Sequence, residues 1–127
     1  MDKLINDSQK VVLIAEDDEI SYFLIQKVLS TENIHLIRAK NGEEAVKLFK
    51  QTAYISLILM DLNMPIMGGI EALTEIRQVN TAIPIIVQTA NIIASEKETA
   101  MEAGCTSFFE KPIDLKDLKY LIEKHLN

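Results

Sequence analysis

Short apolar runs alternate with longer amphipathic segments along this chain, and that alternation leaves few folds open. Val11-Val12-Leu13-Ile14-Ala15, Ser56-Leu57-Ile58-Leu59-Met60 and Pro84-Ile85-Ile86-Val87-Gln88 are continuous rather than alternating. Strands covered on both faces read this way. Ile34 to Ala39 is more mixed and fits an edge strand, and Thr106 to Phe109 makes a short fifth. Between the runs, apolar residues recur at helical spacing. Ile20, Phe23, Leu24 and Val28 form one stripe; Ala45, Leu48 and Phe49 another; Ile70, Leu73 and Ile76 a third. Ala100 and Ala103 mark a fourth helix, and Leu115, Leu118, Leu121 and Ile122 a fifth. Each stripe predicts the inward face of its helix. Strands alternating with helices predict a parallel sheet covered on both sides. All four glycines and all three prolines fall at the predicted boundaries, where backbone freedom or a chain break is needed.

Residues 11–127 read as one domain, and residues 1–10 as a flexible tail or linker. A chain of 127 residues can bury one core without disulfides or structural metal. The net charge of −6 argues against direct contact with nucleic acid, whose phosphates would be repelled. No apolar stretch approaches the ~20 residues of a membrane helix, and Met1 to Lys10 lacks a hydrophobic signal region. The expectation is a cytoplasmic protein without direct membrane contact. Cys105, the single cysteine, has no intrachain partner and is expected as a small buried or half-buried residue.

The polar residues gain meaning on this frame. Glu16, Asp17 and Asp18 follow the first strand, Asp61 the third, Thr89 the fourth and Lys111 the fifth. Ligands of open α/β sheets bind at such carboxyl edges, where strand order reverses. In the common order 2-1-3-4-5 the reversal lies between strands 1 and 3, which sets Glu16 and Asp17 beside Asp61. Carboxylates gathered in one cleft repel unless a cation resides there. Oxygen-only ligands with room for water suit Mg²⁺. A carboxylate can then act as nucleophile and form an aspartyl phosphate. Lys111 would neutralise phosphoryl charge and Thr89 would donate a hydroxyl. Asp18 is better read as the N-cap of the first helix than as a metal ligand.

At these residues the chain resembles a known family, the response-regulator receiver domain (the CheY-like module of two-component signalling). The resemblance runs from about Val11 to Leu126. It rests on Val-Leu-Ile-Ala-Glu-Asp-Asp-Glu at 12–19, Leu-Ile-Leu-Met-Asp-Leu-Asn-Met-Pro-Ile-Met-Gly-Gly at 57–69, Ile-Ile-Val-Gln-Thr-Ala at 85–90 and Phe-Glu-Lys-Pro-Ile at 109–113. It implies a flavodoxin-like three-layer (βα)5 domain with a five-stranded parallel sheet in order 2-1-3-4-5. It implies Asp61 as phosphoacceptor and Mg²⁺ held by Asp17, Asp61, the Asn63 backbone carbonyl and Glu16, the last often through water. Thr89 would bind the phosphoryl group, Ala90 would leave room for it, and Lys111 would pair with it or with Asp61. The Lys111-Pro112 peptide is usually cis in this family. Phe108 would be the aromatic switch, turning inward when Thr89 moves. Asn63 and Asn91 would flank the attacking water and tune dephosphorylation, giving a moderate lifetime. Two departures stand out. The acid pair is Glu-Asp rather than the commoner Asp-Asp, and Phe108 lacks the hydroxyl of the tyrosine often found there.

The implied partners are a histidine kinase or histidine phosphotransfer domain. A homodimer or target protein would use the surface of the fourth helix, fifth strand and fifth helix, where Ile92 and Ile93 are either contacts or core. The chain is expected either as a stand-alone regulator or as the receiver of a hybrid histidine kinase, in the cytoplasmic part of a membrane-anchored protein. It is expected to be a phosphoacceptor and not an enzyme. A haloacid-dehalogenase-type phosphatase would need a second aspartate at position 63, where Asn63 stands. A flavin-binding flavodoxin would need a phosphate loop in place of the acidic Glu16 to Glu19. A pure interaction module with a dead site would not need the whole polar set.

Overall fold

The computed structural model describes residues 9–30, 33–90 and 94–126. Strands and helices alternate among them: β1 (Lys10–Ala15), α1 (Glu19–Leu29), β2 (Ile34–Ala39), α2 (Gly42–Gln51), β3 (Ile55–Asp61), α3 (Gly69–Val79), β4 (Ile85–Thr89), α4 (Ala94–Ala103), β5 (Ser107–Glu110) and α5 (Leu115–Leu126). The strands form one parallel sheet in the order β2-β1-β3-β4-β5. This is the flavodoxin-like three-layer arrangement, with β2 at an edge as its mixed sequence predicts.

The continuous apolar runs divide by parity, because successive strand residues point to opposite faces. Leu13, Ala15, Ile58, Met60, Ile85 and Val87 face α2, α3 and α4. Val12, Ile14, Leu57, Leu59 and Ile86 face α1 and α5, where Ile25, Leu29, Leu118 and Ile122 cover them. Val12, Leu13, Ile14, Leu57, Ile58 and Leu59 are wholly buried. Burial on both faces removes water from the apolar area of both layers, the largest favourable contribution to a fold of this size.

The sequence reading needs correction in a few places. β1 begins at Lys10, one residue earlier than expected. β3 and β4 reach one residue further, so Asp61 and Thr89 end their strands rather than follow them. Pro84 precedes β4, and its carbonyl accepts from the Ile58 amide at 3.0 Å. The larger correction concerns α1. Ile20, Phe23 and Leu24 are 71%, 54% and 42% exposed, while Ile25 and Leu29 are buried. The helix carries two overlapping apolar stripes, and α5 packs on the one formed by Ile25 and Leu29. Leu115 in α5 likewise lies outside the core at 42% exposure. The expected inner residues of α2, α3 and α4 pack inward as predicted.

Two boundary features are more specific than the sequence suggested. A Cβ on Gly69 would lie 2.4 Å from the Asp61 carbonyl oxygen, so this glycine serves close backbone approach rather than a turn. Between them, the Met67 amide donates to the Pro65 carbonyl at 2.7 Å around Ile66, whose φ is 69°. That is a γ-turn with a β-branched residue in the left-handed region, a strained choice.

Candidate functional site

The carboxyl ends of β1, β3 and β4 and the segment after β5 converge at the reversal of strand order. The end of β1 delivers the acid pair Glu16 and Asp17, and β3, β4 and the segment after β5 deliver one group each. Glu16 is fully buried, and its amide donates to the Ala39 carbonyl at 2.9 Å, so it prolongs the β1–β2 pairing. Asp17 is exposed beside it. Asp18 caps α1 as expected, accepting from the Ser21 amide at 2.7 Å. Asp61 is 3% exposed, and its Oδ1 accepts from the Asn63 amide at 3.0 Å. Thr89 is fully buried and Ala90 is exposed next to it. The Lys111-Pro112 peptide is cis.

Lys111 ties the cluster together. Its Nζ donates to Glu16 Oε1 at 2.9 Å and to Asp61 Oδ2 at 3.0 Å. Burial pulls the Lys111 ammonium down, but the two carboxylates outweigh it and hold its pKa above the ordinary lysine value. Burial pushes the Glu16 carboxyl up; the Lys111 hydrogen bond opposes this and the nearby Asp61 charge adds to it. Ligand oxygens of Glu16, Asp17 and Asp61 lie within 4.8 Å of one another. Fully ionised, the three carboxylates would exceed the one ammonium of Lys111 by two negative charges. That excess and an all-oxygen donor set fit a hard divalent cation.

Thr89 sits on the opposite side of Asp61. Its Oγ accepts from Asn63 Nδ2 at 3.3 Å and donates to Glu96 Oε1 at 3.0 Å. Phe108 is half-buried and packs against the core on the α2–α4 face. Asn91, Ile92 and Ile93 lie outside the described residues. The structure thus brings Glu16, Asp17, Asp61, Asn63, Thr89 and Lys111 into one site.

Three participants escape the sequence reading. Glu96 reaches Thr89 from the first turn of α4. Arg38 on β2 grips the Glu16 main-chain carbonyl through Nε and Nη2, at 3.1 and 3.0 Å, while its guanidinium lies over Tyr22. Gln88, 3% exposed, donates from Nε2 to Glu16 Oε1 at 3.0 Å. Only Gln88 left a signal in the sequence, as the one amide in an apolar strand.

A family model described as the response regulator receiver domain matches residues 12–123. The chain belongs to this family. It is 38% identical over 133 residues to hybrid signal transduction histidine kinase G of Dictyostelium discoideum, an alignment covering 98% of this chain and 4% of that kinase. It is 33% identical over 118 residues to two-component response regulator 24 of Arabidopsis thaliana, covering 93% of this chain and 85% of that protein. The crystal structure of a CheY-like receiver domain protein from Methanospirillum hungatei superposes with a TM-score of 0.88 at 24% identity, covering 94% of each chain, and supports the fold. The receiver is a phosphoacceptor signalling module of two-component phosphorelays, found in response regulators and in hybrid histidine kinases. Among its described residues, no helix is long and apolar enough to cross a membrane.

Proposed function

We propose that Asp61 accepts a phosphoryl group from a histidine kinase or histidine phosphotransfer domain, and that this receiver uses Mg²⁺ to do so. The carrying observation is the shared grip of Lys111 on Asp61 and Glu16 within a cluster of three carboxylates. Asp17, Asp61, Glu16 and the Asn63 carbonyl would hold the metal. Bound there, Mg²⁺ supplies positive charge opposite the phosphoryl oxygens. An Asp61 oxygen attacks phosphorus, the P–N bond of the phosphohistidine breaks, and the imidazole leaves with that electron pair and takes up a proton. Lys111 then turns from Asp61 to a phosphoryl oxygen, and the Thr89 hydroxyl donates to another. The chain acts on its own phosphorylation state and is not an enzyme toward other substrates. Asn63, at the mouth, leaves room for water and supports a moderate lifetime.

The output is a change at α4, β5 and α5, toward a target protein or a second copy. Thr89 holds Glu96 of α4 in the unphosphorylated chain. Moving its hydroxyl to the phosphoryl group releases that contact and opens space for Phe108 to turn inward. We favour the receiver of a hybrid histidine kinase, in the cytoplasmic part of such a protein. The identity to kinase G supports this choice.

The exposed face of α1 supports the phosphoryl donor's place. Ile20 and Leu24 are exposed on α1, the helix that begins just after the acid pair, and Leu24 lines a cleft of about 130 Å³ with Lys111, Ile113 and Leu115. Apolar surface beside an acceptor is a docking surface for a partner. Charging it with Ile20→Glu and Leu24→Glu together is expected to slow transfer from a phosphotransfer donor by at least about ten-fold. Labelling by acetyl phosphate should stay within about two-fold, because a small donor needs no docking surface. Equal losses with both donors would remove this face from the docking site.

Metal binding should also depend on pH. The Glu16 carboxyl titrates above its unfolded value. The stability it contributes to the metal-free chain is therefore full below the ordinary carboxylate range and is lost as pH rises through the raised value. A cation reverses that penalty only when the carboxylate is ionised. The Mg²⁺-induced rise in Tm should accordingly be larger near about pH 7 than near about pH 5, as scanning calorimetry can measure. An increment that grows on acidification would contradict the proposed ligand set.

A further inference from the structure

We propose that Gln88 is a positioning residue for the acid pair, and that it is matched to a glutamate at position 16. The inference rests on the proposed role of Glu16 in holding Mg²⁺. Gln88 stands in register with Asp61 across β3 and β4. Strand alternation sends its side chain to the side of the sheet opposite Thr89, toward Glu16 and Lys111. There its amide meets Glu16 Oε1 at 3.0 Å, with both residues almost wholly inaccessible to water.

The other contacts of Glu16 show what the amide adds. Oε2 accepts from the Asp18 amide at 3.1 Å, and Oε1 is shared by Gln88 and Lys111. Lys111 is the mobile donor, because it also serves Asp61 and would turn toward the phosphoryl group. Gln88 is anchored in a central strand and cannot follow. When Lys111 leaves, the Gln88 amide is the donor that keeps Oε1 of a buried carboxylate paired. Removing a fixed outer partner of a ligating carboxylate characteristically weakens metal affinity by about 10–100-fold. The pairing also accounts for the Glu-Asp form of the acid pair. An aspartate at 16 is one methylene shorter and ends short of Gln88.

The test is the Mg²⁺ dissociation constant of the full chain, by isothermal titration, in wild type, Gln88→Met, Glu16→Asp, the double variant and Glu16→Ala. Methionine matches glutamine in length and volume, and thermal unfolding without Mg²⁺ reports whether the fold survives. Gln88→Met is expected to weaken Mg²⁺ about ten-fold in the wild-type background and by less than about two-fold beside Glu16→Asp. The same loss in both backgrounds would mean a merely structural role and would overturn the proposal, as would no loss in either. If Glu16→Ala leaves affinity unchanged, the ligand role of Glu16 falls and this proposal with it. If Glu16→Ala weakens binding while Gln88→Met does not, only this proposal falls. Should Gln88→Met not fold, NMR of the Gln88 side-chain amide decides the matter. In the wild type it should be protected from exchange and should lose that protection in Glu16→Asp. An amide that exchanges freely in the wild type, or stays equally protected in Glu16→Asp, would overturn the pairing.

Discussion

Asp61→Asn will take up no phosphoryl label from acetyl phosphate and Mg²⁺, with residual signal below about 1% of wild type. The reason is chemical rather than structural. An amide is not a nucleophile toward phosphorus, and it loses the charge that opposes Lys111 at 3.0 Å. The loop beyond is preserved, because an amide oxygen still accepts from the Asn63 amide, as Oδ1 does at 3.0 Å. Tm should therefore stay close to the wild-type value, so a null result reports lost chemistry and not lost fold. Asp17→Ala provides the contrast. Asp17 is exposed and keeps the acceptor intact, so its loss should lower labelling and raise the Mg²⁺ requirement without abolishing transfer. Label that survives an acid quench and is released by hydroxylamine, together with mass measurement, would read both variants. Full labelling of Asp61→Asn would end the acceptor assignment.

Gly69→Ala should destabilise the domain by about 3 kcal/mol, seen as a lower denaturant midpoint with an unchanged slope. The added Cβ would meet the Asp61 carbonyl oxygen at 2.4 Å and the Leu62 Cα at 2.8 Å. Both are backbone atoms in a buried strand end, so neither can swing aside. The first turn of α3 must move off β3, and the hydrogen bond from the Gly69 amide to the Leu62 carbonyl, 3.1 Å long, must stretch. Gly68→Ala is the control. Its Cβ would make only an ordinary contact, 3.4 Å from the Leu62 carbonyl oxygen, and its φ of −77° suits any residue. That change should cost less than about 1 kcal/mol. A comparable loss at both positions would show that helix propensity, not close approach, governs this boundary. Because the strained strand end is Asp61 itself, Gly69→Ala should also slow phosphorylation more than its stability loss alone explains.

The elements and their order were legible because they rest on local signals. Continuous apolar runs, helical spacing, the Asp18 cap and the glycine and proline punctuation are all read within a few residues. The polar set at the strand ends was legible for a similar reason, since parallel connectivity forces every carboxyl end to one edge. The rotation of α1 was not. Ile20, Phe23 and Leu24 satisfy helical spacing as well as Ile25 and Leu29 do, and only contact with Leu118 and Ile122 of α5 selects between them. Gly69 was visible as a boundary, but the backbone it approaches was not.

The acceptor shows the same division. The sequence by itself determined that Glu16, Asp17, Asp61, Thr89 and Lys111 would meet at one sheet edge, because parallel strand-helix-strand connectivity sends every carboxyl end to the same side. The order 2-1-3-4-5 that sets them side by side is expected from the common arrangement of such sheets and is seen in the structure. Only the tertiary structure decided how they pair. Lys111 stands 95 residues from Glu16 and 50 from Asp61, and Gln88 stands 72 from Glu16. Hydrogen bonds require heavy atoms within about 3 Å and a defined direction. No local pattern carries that information; it emerges when the packed strands fix where each side chain ends.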